Sequence, residues 1–134
     1  MPAGRLPVEL PIRHPARPAG CHNSRMNKMS LDALARELRT KAGESGRKIA
    51  STTVYGGHEK TLRQTLVVIS AGGELGEHDS PGEATVQVLA GRISLKTATD
   101  SWEGRTGNLL VVPPERHSVQ AIEDASFLLT VAKG

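Results

Sequence analysis

Beyond residue 46 the sequence never settles into a helical period, and this is the feature that most constrains what it can fold into. It runs as short stretches rich in Val, Ile, Leu and Thr with apolar and polar residues alternating, near 48–55, 61–70, 74–78, 84–90, 92–97, 107–112, 117–122 and 126–132. Turn residues separate them: Gly56-Gly57, Gly72-Gly73, Pro81-Gly82 and Gly91. A period of two places successive side chains on opposite faces of a strand, and short strands at regular spacing predict an all-β barrel or sandwich. One helix precedes them. Ser30 offers an N-cap hydroxyl, Leu31, Leu34, Ala35 and Leu38 fall at helical spacing, Asp32 sits in the first turn and Lys41 near the end. This predicts a helix over about 30–42, with Gly43 as its stop. No second helix remains for an α/β unit or for the recognition helix of a helix-turn-helix.

The 134-residue length suits one domain. Only Tyr55, Trp102 and Phe127 are aromatic, so the core must be aliphatic. Lys and Arg number 17 against 14 acids, a net charge of +3, and the excess is local. Arg5, Arg13, Arg17, Arg25 and Lys28 precede residue 29 with Glu9 as their one acid, so the remainder is near neutral and has no electrostatic reason to seek nucleic acid or an anionic membrane. Residues 1–28 also hold five of the eight prolines and are expected to be a disordered or loosely extended tail, dispensable for folding, with the domain at 29–134. A single cysteine, Cys21, can form neither an internal disulfide nor a Cys-based zinc site, which points to a reducing, cytoplasmic setting. No apolar run approaches the roughly 18 residues of a membrane span. No Gly-x-Ser-x-Gly elbow and no phosphate loop occurs in the sequence.

Two spaced stretches carry a family resemblance. Gly72, His78, Ser80, Ala84 and the closing Val88-Leu89-Ala90-Gly91 follow the frame G-x5-H-x-H-x3–4-E-x6-G, and Gly107 to Pro113 followed by His117 follows G-x5-P-x-G-x2-H-x3-N. With Gln120 to Thr130 as a closing strand, residues 50–132 resemble the cupin superfamily, which implies a double-stranded β-helix (jelly-roll) barrel with one N-terminal helix and a barrel at about 48–132. In metal-binding cupins the resemblance implies three His and one Glu on neighbouring inward-facing strands, a set suited to Fe, Mn, Ni or Zn. Here the second His is Ser80, the Glu position is Ala84 with Glu83 one residue off, and His117 arrives one residue early. Strand parity turns Glu83 outward unless a bulge at Pro81-Gly82 resets the register.

His78 and His117 thus have two readings, as ligands of a divalent transition metal or as polar residues hydrogen-bonded across the barrel mouth. His58 and Gln64 are further contributors if the first strands fold across that mouth, whereas Gln87, out of phase with Val86 and Val88, is expected to face out. Arg63 reads as a solvated strand residue rather than an anion ligand. Trp102 reads as a cap over one barrel end, placed in a hairpin. The functional expectation is a small-molecule or metal-ion binding module. A metal-dependent cupin oxygenase or isomerase is the alternative, and a structural or assembly protein with an empty site the third. The resemblance also implies a homodimer, for which β-strand residues Leu62, Leu66 and Val68 against Thr65, Val67 and Ile69 suggest a strand apolar on both faces.

Overall fold

The computed structural model describes residues 26–78 and 82–133. Helix α1 spans Leu31–Glu44 and nine strands follow: β1 Ile49–Tyr55, β2 Leu62–Ile69, β3 Glu74–His78, β4 Gly82–Ala90, β5 Arg92–Lys96, β6 Ser101–Arg105, β7 Leu109–Val111, β8 His117–Ala121 and β9 Ala125–Lys133. Cys21 and most of the Pro-rich tail lie outside the described residues.

The strands form two sheets, ordered β1-β2-β9-β4-β7 and β3-β8-β5-β6. Parity explains how they meet. In the five-stranded sheet Val67 pairs with Phe127, Phe127 with Val88, and Val86 with Leu129 and Leu110, which fixes one apolar inner face. In the other sheet Leu75 and Leu95 both pair with Val119, and Ile93 with Ala121. These rows merge into a single aliphatic core around Phe127, which is fully buried. The two sheets approach closely at Gly104 of β6, where a Cβ would meet Leu110 Cδ1 at 3.1 Å and Val88 Cγ2 at 3.2 Å, so the glycine makes room for the opposing sheet.

The outer face of β2 is apolar for a different reason. Leu66 and Val68 pack under Ala35, Leu38 and Ala42 of α1, forming a second buried cluster. The two-sided apolarity of β2 is therefore satisfied within one chain, by core on one face and α1 on the other. The helix starts where the sequence predicts, with Ser30 Oγ accepting from the Ala33 N–H at 3.1 Å. It does not stop at Gly43. The glycine stays helical and the chain leaves the helix at Ser45, whose N–H donates to the Ala42 carbonyl. A second departure is β6, which the Asp100-Ser101-Trp102-Glu103-Gly104 composition disguises as a hairpin turn. As an edge strand it needs only one partner, and it pairs with β5 from Arg92↔Arg105 to Lys96↔Ser101.

Candidate functional site

The two histidines are paired in register on the four-stranded sheet. His78 is the last residue of β3 and His117 the first of β8, and they are cross-strand partners. A register shift between Leu75 and His78 creates this pairing, because unbroken register from Leu75↔Val119 would put residue 77 opposite His117. His117 shares the inner face with Val119 and Ala121 and is 4% exposed. The residue missing from the turn after Pro113 is thus absorbed before β8 begins, and the ring enters the strand in phase with the core. Its Nδ1 lies 2.9 Å from the Glu115 carbonyl oxygen, which can only accept, so Nδ1–H donates and in the neutral ring Nε2 is the acceptor.

On the inner face of the five-stranded sheet Ala84 is paired with Val131, itself paired with Arg63. Ala84 and Val131 are buried, while Arg63 is exposed at the start of β2. Arg63 has the parity of Val67 and Ile69, so it belongs to the inner-face series and ends that series at the mouth. The sequence treats it as a solvated residue; counting back in twos from Val67 is the signal that places it. One row further in, Leu75, Val119, Leu95 and Trp102 align across the sheet. Trp102 is 43% exposed and, with Leu95, Leu110 and Pro113, lines a recess of about 150 Å³ between the free edges of the two sheets.

The other sequence candidates separate. His58 is exposed on the turn between β1 and β2, which lies at the same end of the sandwich: the Lys133 N–H donates to the Thr61 carbonyl, its Nζ donates to the Gly57 carbonyl, and Lys133 pairs with Gly82. It stands outside the buried wall around His117. Gln64 does not face the mouth. It pairs with Thr130 on the outer face of the sheet, in phase with Leu66, and its Nε2 donates to Thr130 Oγ1 at 3.1 Å. Gln87 is exposed on that outer face, as its phase against Val86 and Val88 predicts. Glu83 is exposed too, paired with Ala132 in a register unbroken from Gly82 to Val88, so no bulge within β4 turns it inward.

These placements decide how well the residues suit the metal that the motifs imply. A divalent centre with open positions takes about three protein ligands. Ala84 supplies a buried methyl where the carboxylate is required, Glu83 faces away, and among the described residues no group of three or more His, Cys, Asp or Glu comes together. Ser80 lies outside the described residues. Among the described residues the donor set does not fit a resident metal centre of the His and Glu type.

Comparison with known proteins agrees with the architecture. No family model matches the sequence, and no curated protein matches it either. Among solved structures, the conserved protein SPY1581 of unknown function from Streptococcus pyogenes is 27% identical, with a TM-score of 0.60 over 67% of this chain and 78% of that one. An RmlC-like cupin from Desulfovibrio desulfuricans is 25% identical, with a TM-score of 0.56 over 63% and 81%. A cupin superfamily protein from Desulfitobacterium hafniense has a TM-score of 0.58 at 14% identity, over 64% and 78%. Two packed antiparallel sheets with one helix laid outside define a jelly-roll type of β-sandwich. Within that class the fold is similar to that of cupin superfamily proteins.

Proposed function

We propose that this chain is a small cupin barrel, closed as a double-stranded β-helix, that binds a small organic anion without turning it over. The site is the end of the sandwich where β3 passes to β4. The observation that carries the reading is the inner-face placement of His117 on one sheet, with Arg63 ending the inner-face series at the rim of the other and Ala84 where the motif has a metal-binding carboxylate; His78 is the register partner of His117. A guanidinium offers paired donors to a carboxylate, while the neutral His117 ring, an acceptor at Nε2, suits a hydroxyl of the same ligand rather than its carboxylate. The buried methyl of Ala84 places no charge at that position to repel such a ligand.

The test is a titration of 15N-labelled full-length protein with pyruvate, malonate and citrate. Shifts should concentrate at Arg63, Ala84 and His117, and Arg63→Gln should weaken binding by about tenfold or more, the value of a lost charge-assisted hydrogen bond. Binding that leaves these amides unmoved, or that survives Arg63→Gln unchanged, rejects the site.

A second reading, a divalent ion held weakly by His78 and His117, is favoured by their register and by the Glu115 carbonyl, since ligating imidazoles commonly donate their other N–H to a backbone carbonyl. Zinc titration of the wild type and of His78→Ala separates it from the first. We further propose a homodimer formed through the β7 edge, where Leu109 and Val111 are 61% and 76% exposed, and a reducing cellular setting. Among the described residues no helix is long and apolar enough to cross a membrane.

A further inference from the structure

The outer face of the five-stranded sheet carries a groove of about 600 Å³ beside the start of α1. Met29 and Leu31 form one wall, and Tyr55, Leu62 and Leu128 the floor. Three of these large side chains stay substantially exposed: Met29 at 47%, Tyr55 at 48% and Leu62 at 40%. Leu62 begins a strand whose later outer-face residues, Leu66 and Val68, lie fully covered by α1, so the apolar stripe outruns the helix. Apolar surface gathered in one concavity marks a place where something docks.

The chain itself arrives there. Asn27 and Lys28 line the same groove, and residues 1–25 precede its rim. Within them Leu6-Pro7-Val8-Glu9-Leu10-Pro11-Ile12 alternates without a break. In an extended conformation Leu6, Val8, Leu10 and Ile12 fall on one side, and Pro7, Glu9 and Pro11 on the other. Two prolines bias their own and the preceding residues toward extended geometry, which lowers the entropy lost on ordering. Residues 13–25 reach roughly 40 Å when extended, ample for the segment to fold back. Glu9 brings a negative charge to a rim that holds Lys28. A tethered segment also binds at an effective concentration in the millimolar range, which a second copy does not match in dilute solution.

We propose that residues 6–12 dock in extended form into this groove, so that the N-terminal segment is a built-in occupant of the outer face rather than an idle tail.

The experiment uses the full chain carrying Cys21→Ser and Gly4→Cys, with a nitroxide on the new thiol. Docking predicts loss of peak intensity at the amides of residues 54–56 and 62–64, and recovery of that intensity when Val8→Asp and Leu10→Asp are added. Unbroadened peaks in the parent chain, or broadening that the double aspartate variant leaves in place, overturn the proposal. Mixing spin-labelled unenriched chain with unlabelled 15N chain gives the remaining control: broadening in the mixture assigns the groove to a segment of another copy and overturns docking in cis, whereas its absence supports it.

Discussion

Phe127→Ala tests the packing of the two sheets on one shared core. Among the described residues Phe127 is the largest fully buried side chain, and it is the third residue of β9, between Val67 of β2 and Val88 of β4. Its ring belongs to a core cluster whose other members are aliphatic residues of both sheets. Truncation removes the transfer free energy of the ring and leaves a cavity that strands held on both sides cannot collapse, a cost of about 3–5 kcal/mol. For a domain of this size each kcal/mol lowers the melting temperature by about 4 °C, so the expected fall is roughly 12–20 °C. Thermal unfolding followed by circular dichroism reads it directly. Arg39→Ala, at an exposed position on α1, provides the comparison and should stay within about 0.5 kcal/mol of wild type. A Phe127 variant that melts within a few degrees of wild type would show that the sheets do not share this core.

Further outcomes follow from single contacts. Ser30→Ala removes the oxygen that accepts from the Ala33 N–H and should cost about 1 kcal/mol, read as a drop of roughly 4 °C in the same melt. Gly91→Ala should cost more than about 3 kcal/mol, because φ is +82° and a Cβ there would overlap the Asp124 carbonyl oxygen and lie 2.8 Å from the Ala125 Cα; urea unfolding measures the loss. Light scattering at micromolar concentration should give twice the chain mass for wild type and the single-chain mass for Val111→Lys, and a wild type of single-chain mass rejects the dimer.

The sheets were legible in the sequence because the strands alternate and because glycine marks the turns; Gly56, Gly72, Gly91 and Gly107 all adopt positive φ. β6 escaped because an edge strand tolerates Asp, Ser and Gly, so its composition matches that of a turn. The site was half legible. Strand parity placed Glu83 and Gln87 outward from their positions beside Ala84, Val86 and Val88, as the structure has them. The same parity applied to β2 separates Arg63 from Gln64, but only once one face is known to belong to the helix, and that is tertiary information. An apolar-on-both-faces strand looks alike whether its outer face meets a helix or a partner subunit. His78 opposite His117 needed a register shift in β3 that no residue pattern announces, since Gly76 is as compatible with a regular strand as with a bulge.

Elemental analysis of untagged, dialysed wild-type protein tests most directly the claim that this sandwich keeps a cupin-like architecture while its described residues lack the donor set of a resident metal. With Ala84 in the carboxylate position and Glu83 turned outward, the expected content of Fe, Mn, Ni and Zn together is far below one ion per chain. One ion per chain retained through dialysis, and lost in His117→Ala, would contradict it.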